Sequence, residues 1–204
     1  MKNKMLKLIL TSVFCFIAFF ANSQEQFNFD VTEIEITENG NKFTGKKRGK
    51  IVSDDGIIID ADEFEYDKIL NILNAKGNVR IKDNLKDITI SANEITYNKN
   101  DEQIFTKGSS EAENQNTKIK AYEFKYDKIL NVLNAKGNVQ IINNSKNFII
   151  FAEDVTYDKN LEKITTLGST RANFQSKYNF ETSNITLKNN EMEFSSTEYA
   201  KILT

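Results

Sequence analysis

The chain has 204 residues, enough for one domain with a sizeable core. It contains 27 basic and 29 acidic residues, no histidine, proline or tryptophan, and one cysteine. The nearly balanced charge lacks the basic excess of a nucleic-acid-binding protein, and a single cysteine excludes a disulfide framework.

The first 23 residues have the pattern of a secretory signal peptide. Three lysines precede an apolar run over residues 8–20, and residues 21–23 supply the small side chains that signal peptidase requires. We therefore expect cleavage before Gln24. A retained N-terminal anchor stays open as the alternative.

The single cysteine, Cys15, lies inside this signal peptide. Bulky Phe14 precedes it, so we do not expect lipid attachment there. The mature chain, residues 24–204, then has no cysteine and carries 24 basic against 29 acidic residues, a net charge of −5. Export without disulfides is typical of a bacterial periplasm.

Four apolar residues recur along the mature chain at spacings of two, three and two. The clearest copies are Ile59, Ala61, Phe64 and Tyr66; Ile90, Ala92, Ile95 and Tyr97; Ile119, Ala121, Phe124 and Tyr126; and Ile150, Ala152, Val155 and Tyr157. Weaker copies begin at Phe29 and Phe180. The first members lie 30, 31, 29, 31 and 30 residues apart, which indicates six tandem units of about thirty residues.

Each unit predicts a pair of strands with a bend in the first one. A spacing of two places side chains on one face of a strand, and the step of three keeps that face only if a bulge slips the backbone by one residue. The expected bends follow Ala61, Ala92, Ala121 and Ala152. Asx residues near positions 68, 99, 128 and 159 predict hairpin turns.

The return strands alternate strictly between apolar and polar residues. Glycine recurs in them at Gly77, Gly108, Gly137 and Gly168, which indicates a bend or a close backbone approach. Two of these return strands carry large apolar residues, and the two that follow them in turn carry a smaller, partly hydroxylated set. Since the two kinds of strand alternate along the chain, the true repeat is about sixty residues. This period explains why residues 63–79 and 123–139 are nearly identical. We expect an all-β fold, a bent antiparallel β-jelly roll or trough, with room between its large and small sides.

The motif Ala-Asp-Glu-x-x-Tyr-Asp at residues 61–67, followed by Ala-x-Gly-Asn-Val at residues 75–79, resembles the OstA-like (organic solvent tolerance) domain. Related copies occur later in the chain, and the resemblance extends over residues 27–194. Residues 27–45 are more similar to the soluble N-terminal domain of an outer-membrane translocon than to a free bridge protein. Residues 24–204 would then form one OstA-like domain. A fragment of a longer protein and a stand-alone module both stay open.

The resemblance implies a periplasmic module that binds lipopolysaccharide in a hydrophobic groove and forms part of the transport bridge to the outer membrane. Its partners would be other OstA-like transport proteins, joined by edge-strand pairing, and the outer-membrane translocon. The implied location is the periplasm, with association to the outer membrane left open, and no cofactor is implied. The candidate groove residues are Phe64, Tyr66, Leu73, Val79, Ile95, Tyr97, Phe124, Tyr126, Leu133, Val139, Val155 and Tyr157.

One dense basic patch comprises Lys46, Lys47, Arg48 and Lys50. Most such runs are solvated loops. The functional alternative is contact with lipopolysaccharide phosphates near the mouth of the groove, where arginine forms two bonds to one phosphate.

Paired acids could suggest a glycosidase, because that chemistry needs two carboxylates on either side of a bond. Asp54 and Asp55 instead precede Gly56 in a turn signal, and the other acids recur with the repeat. The sequence also lacks an Asp-x-Asp-x-Asp-Gly calcium loop. We therefore expect neither an enzyme nor a metal site.

A closed β-core produces the same alternation as a lipid groove. The rival function is therefore a structural or adhesive β-solenoid that binds glycans or protein partners. A solenoid stacks parallel rungs, whereas the Asx-rich turns favour antiparallel hairpins. The end strands lack proline, which favours pairing with another chain. The alternative is that truncation of a longer protein exposes them.

Overall fold

The computed structural model describes residues 27–188 and 190–203; the expected signal peptide and its cleavage site lie outside them. The described residues form twenty strands and one 3₁₀ turn, Glu38–Gly40, which confirms the all-β prediction. None of their helical segments is long and apolar enough to cross a membrane. The strands are β1 (Phe27–Val31), β2 (Ile34–Thr37), β3 (Lys42–Gly45), β4 (Gly49–Ser53), β5 (Ile58–Ala61), β6 (Glu63–Asp67), β7 (Ile72–Asp83), β8 (Ile88–Asn98), β9 (Gln103–Lys107), β10 (Ser110–Glu113), β11 (Thr117–Ala121), β12 (Glu123–Asp127), β13 (Val132–Asn143), β14 (Phe148–Asp158), β15 (Lys163–Leu167), β16 (Thr170–Phe174), β17 (Tyr178–Thr182), β18 (Thr186–Lys188), β19 (Glu193–Ser195) and β20 (Lys201–Leu203).

The strands form one continuous antiparallel sheet that is folded into two facing halves. The tyrosine half, named for Tyr66, Tyr97, Tyr126 and Tyr157, has the order β2-β3-β6-β7-β8-β9-β12-β13-β14-β15-β18-β19. The isoleucine half has the order β1-β4-β5-β7-β8-β10-β11-β13-β14-β16-β17-β20. The long strands β7, β8, β13 and β14 belong to both halves. The antiparallel pairing of all these strands contradicts the parallel rungs of a β-solenoid.

The two halves meet along a crease, at the positions where the sequence predicts bends. The register of β7 against β8 shifts between Lys76 and Val79, and that of β13 against β14 shifts between Lys136 and Val139. Strands β5 and β6 break at Asp62, one residue after Ala61. These breaks confirm that each unit slips by one residue and keeps its apolar face inside.

Gly77 shows why glycine recurs at the crease. Its φ is +73°, and a Cβ at this position would lie 2.7 Å from Oδ2 of Asp62. The Asp62 backbone N–H also donates to the carbonyl oxygens of Lys76 and Gly77, at 3.1 and 3.0 Å. A side chain would therefore clash with the strand that crosses the crease, in addition to the cost of the left-handed conformation.

The opposite edge of each half consists of hairpin turns. In the tyrosine half these turns occupy residues 68–71, 99–102, 128–131 and 159–162, as predicted. Asp67 closes the first of them, because its Oδ1 accepts the backbone N–H groups of Ile69 and Leu70, both at 2.9 Å. The turns of the isoleucine half include residues 54–57 and 84–87. We call this edge the mouth.

Aromatic clusters close both ends of the folded sheet. At the first end, the rings of Phe27 and Tyr66 lie 4.8 Å apart, edge to face. At the second end, Phe174 and Phe180 pack against Phe194 at 4.5 and 4.6 Å. Beyond these clusters the edge strands β2 and β20 are exposed along their whole length.

Candidate functional site: the interior and its mouth

The twelve candidate groove residues all lie inside the folded sheet. Each is 4% exposed or less, and together with their neighbours they form one continuous apolar core. The structure therefore brings all of them together. In this structure they pack against one another, so the two halves are in direct contact.

The smaller return strands fill the space that the sequence suggested would stay open. Thr106 of β9 and Ser110 of β10 join their hydroxyls across the crease, 2.5 Å apart. Thr166 and Thr170 repeat the contact at 2.8 Å. Thr106 also accepts the backbone N–H of Phe124 at 2.9 Å. These hydroxyls satisfy each other without water, and the apolar residues of the two halves occupy the space that was expected to be open.

The four tyrosines bring their hydroxyls from the core to the mouth. Each hydroxyl donates to the side chain five residues later, in its own turn: Tyr66 to Asn71, Tyr97 to Glu102, Tyr126 to Asn131 and Tyr157 to Glu162. Burial raises the pKa of all four phenols. They therefore stay protonated at neutral pH and can act as donors.

A cluster of charged residues holds the mouth closed between the first and second long hairpins. Lys99 Nζ of the tyrosine half lies 3.1 Å from Asp54 and 3.0 Å from Asp55, both in an isoleucine-half turn. Lys128 Nζ contacts Asp55 Oδ2 and lies 2.5 Å from Glu102. We call Asp54, Asp55, Lys99, Glu102 and Lys128 the mouth clasp. It joins the two rows of turns through side chains.

The mouth clasp is a strongly coupled electrostatic site. The side chains of Lys99 and Lys128 are only 9% and 7% exposed. Burial opposes ionisation of Asp55, but hydrogen bonds from Lys128, Ser53 and Lys99 outweigh it and hold its pKa far below the usual range. The pKa of Glu102 is lowered in the same way, and the carboxylates raise the pKa of Lys99 against the effect of burial. All three groups are therefore charged at neutral pH.

A different contact occurs further along the mouth. Lys159 Nζ donates to the backbone carbonyl oxygen of Lys86, which lies in the next isoleucine-half turn. Burial lowers the pKa of Lys159 and outweighs the opposing effect of the acids Asp87, Asp83 and Glu162. A polar cavity of about 400 Å³ opens beside it. Lys159 therefore meets a backbone carbonyl across the mouth, where Lys128 meets a carboxylate.

The basic patch lies away from the mouth, which corrects the position expected for it. Residues 46–48 connect β3 to β4 across the crease, at the opposite edge of the fold. Surface carboxylates pair with each of them: Lys46 with Glu35, Lys47 with Glu33 and Arg48 with Asp62. Lys50 lies on β4, in register with Asp30 and Asp60. The patch is at the crease because the β3–β4 connection has to pass between the halves there. Contact with phosphate stays a prediction.

The sequence pattern does not predict the mouth clasp. Asp54 and Asp55 carried only a turn signal, and Lys99 and Lys128 belonged to repeated turn motifs. The only available hint was the short run of two acids in a turn opposite lysine-bearing turns. The pairing across the mouth joins residues that are 73 positions apart.

Two open cavities of about 520 and 590 Å³ lie on the outer surface of the tyrosine half. Their linings include outward-facing polar side chains such as Glu65, Lys76 and Lys125. Phe64, Ile95 and Phe124 of the predicted groove also contribute to these linings.

No protein-family model matches the chain, and no curated protein matches it. Among solved structures, it is similar to LptH, described as the LptA-homologous periplasmic component of the conserved lipopolysaccharide transport device from Pseudomonas aeruginosa. The two share 14% identity over 72% of this chain and 94% of that chain, with a TM-score of 0.33. A score this low leaves the function of this chain to be inferred from its own structure.

Proposed function

We propose that this chain is a periplasmic lipid-binding module that holds the acyl chains of lipopolysaccharide between its two half-sheets. The observation that carries this proposal is the construction of the interior. Apolar side chains line it from one aromatic cluster to the other, while the strand pairing that joins the halves runs along the crease in the described part of the chain. A sheet built in this way can open at the mouth as if on a hinge.

Acyl chains would enter through the mouth and replace contacts between the two halves. The twelve candidate groove residues would then exchange contacts with each other for contacts with lipid, so apolar surface stays away from water in both states. The mouth clasp has to break for this to happen.

The wider role is transport of lipopolysaccharide toward the outer membrane. Support comes from the OstA-like motif copies, the expected signal peptide and the two exposed edge strands, β2 and β20. Edge strands pair with strands of other chains when nothing covers them. Other OstA-like transport proteins and the outer-membrane translocon are the proposed partners.

One observation favours a second candidate function, a closed structural module that binds glycans or proteins on its outer surface. The interior is filled in this structure, as in an ordinary β-core. The two candidates differ in one property, because only the lipid carrier has to open.

Locking the mouth tests the proposal. The double variant Asp55→Cys with Lys128→Cys, in a Cys15→Ser background, is linked by a bifunctional thiol reagent that reductant removes. Binding of lipopolysaccharide and of a fluorescent fatty acid is then measured before and after reduction. We expect the locked protein to bind neither ligand and the reduced protein to bind both.

The matched control is a lock at the crease, Arg48→Cys with Asp62→Cys, whose native side chains also touch, at 2.9 Å. This lock should leave binding unchanged because the crease does not open. Equal binding by the two locked proteins would show that lipid does not pass through the mouth. If the unmodified chain retains neither ligand, the closed structural module is the better description.

A further inference from the structure

Exposed aliphatic side chains occupy three of the four tyrosine-half turns at the mouth. Two of these turns, one in each copy of the repeat, carry an adjacent pair, and the turn at residues 159–162 carries Leu161 alone, 64% exposed. Ile69 and Leu70 are 69% and 55% exposed, and Ile129 and Leu130, in the second copy of the repeat, are 68% and 61% exposed. We call these four residues the aliphatic tips. The turn between the two pairs has Asn100 and Asp101 at the same positions.

The fold does not need these aliphatic residues. In the intervening turn, Asn98 Oδ1 accepts the backbone N–H groups of Asn100 and Asp101, just as Asp67 Oδ1 accepts those of Ile69 and Leu70. Both turns end on a residue with positive φ, Glu102 at 51° and Asn71 at 54°. A polar pair therefore adopts the same conformation. The aliphatic tips serve something other than turn geometry.

Hydrogen bonds between neighbouring turns hold the tips in a rigid row. Asn71 Nδ2 donates to Asn100 Oδ1 at 2.8 Å, and Asn100 Nδ2 donates to the carbonyl oxygen of Leu70 at 3.1 Å. Asn131 and Asn160 repeat both bonds in the second copy, with Leu130 as the acceptor. The backbone N–H of Lys128 donates to the carbonyl of Glu102 and links the two copies.

The geometry of this row fits a flat, fluid, apolar surface. Four strand spacings separate the two pairs, which places them roughly 20 Å apart. A protein interface usually has one contiguous apolar core inside a polar rim, whereas these pairs are separated by a polar turn. Exposed Lys68, directly before the first pair, can meet the lipid phosphates.

We propose that the aliphatic tips insert into the surface of a phospholipid bilayer, so that the protein docks with its mouth against the membrane. The polar turn between the pairs would lie among the headgroups. This inference does not depend on lipid binding in the interior. It gives the mouth a second property, which is contact with a membrane. An amphiphile could pass from that membrane or to it.

The absence of tryptophan from the chain provides a direct test. Ile129→Trp introduces a single fluorophore at one tip, and Tyr122→Trp places one at the crease, where the native tyrosine is 54% exposed. Vesicles of phosphatidylethanolamine and phosphatidylglycerol are the probe. We expect a blue shift of emission and quenching by brominated acyl chains for the Ile129 variant, and neither for the Tyr122 variant.

A second variant separates membrane docking from folding and from interior binding. Replacing Ile69 and Ile129 by Asn, and Leu70 and Leu130 by Asp, copies the natural polar turn into both pairs and should leave the thermal midpoint close to that of the parent. We expect at least tenfold weaker co-sedimentation with vesicles and unchanged binding of a soluble fatty-acid probe. Unchanged co-sedimentation would overturn the proposal. A blue shift that grows with protein concentration without vesicles would overturn it too, because it would indicate self-association through the row.

Discussion

The ammonium group of Lys128 contacts the carboxylate of Asp55 across the mouth, although the two residues are 73 positions apart. Lys128 lies in a tyrosine-half turn and Asp55 in an isoleucine-half turn. Lys99 also contacts Asp55, and Glu102 also contacts Lys128. The clasp is therefore a network of charges and not an isolated surface pair. Its loss should affect the whole fold.

Lys128→Ala should lower the free energy of unfolding by about 1–3 kcal/mol, because it leaves the carboxylates of Asp55 and Glu102 without one of their donors. Lys68→Ala is the matched control: Lys68 holds the same position in the first copy of the repeat but is exposed. Its effect should stay within about 0.5 kcal/mol. Urea denaturation measures both, and equal effects would contradict the clasp.

The clasp also predicts the pH dependence of stability. The folded-state pKa of Asp55 lies below its ordinary value of 3.8, so its contribution is complete above pH 3.8 and declines as the pH falls toward the folded-state value. The pKa of Lys99 is raised above 10.5, so its contribution is complete below pH 10.5 and declines above it. The stability difference between the parent and Asp55→Asn should therefore be constant near neutrality and shrink below pH 3.8. A difference that persisted in strong acid would argue against the ion pairs.

Gly77→Ala should destabilise the protein more than Gly56→Ala. Both glycines have positive φ, +73° and +83°, so each alanine carries the cost of that conformation, about 1–2 kcal/mol. Only at Gly77 would the new Cβ also clash with Asp62, since no atom lies within 4 Å at Gly56. The difference between the unfolding free energies of the two variants measures the cost of the clash at the crease, separately from the cost of the backbone conformation. Equal losses would mean that the crease relaxes without cost.

Phe124→Asp should abolish retention of lipopolysaccharide, and Lys125→Asp should leave it nearly unchanged. Phe124 is 3% exposed inside the sheet, and a buried carboxylate without a partner is strongly unfavourable. Lys125 is its outward-facing neighbour. Because Phe124→Asp can also unfold the core, Phe124→Leu serves as the folded comparison and should keep most of the binding. Equal retention by the Asp variants would contradict the interior site.

Ile34→Pro should weaken head-to-tail association while leaving the interior fold intact. Ile34 lies in edge strand β2, whose residues are all exposed, and proline removes a backbone donor. Contacts between unlike edges do not close, so the parent should form open chains that grow with concentration. Light scattering and photocrosslinking between β2 and β20 are the measurements. A parent chain that stays monomeric at high concentration would leave this assembly without support.

The sequence by itself determined the creased sheet, its turns and its inward face. Spacings of two and three in units such as the one from Ile59 to Tyr66 carry this information, because side chains alternate along a strand and a one-residue slip restores the face. Glycine at position 77 marked the crease for an equally local reason: only glycine fits a left-handed residue that touches a crossing strand. These features depend on neighbours within one or two hairpins.

The tertiary structure alone decided which turns meet across the mouth. Lys68, Lys128 and Lys159 occupy equivalent positions in the repeat, yet one is exposed, one lies in the clasp and one contacts a backbone carbonyl. Sequence periodicity also could not predict that Arg48 lies at the crease or that the interior is filled. All of these depend on how far the two halves fold together and how they are offset, and these quantities are set by packing across the whole sheet.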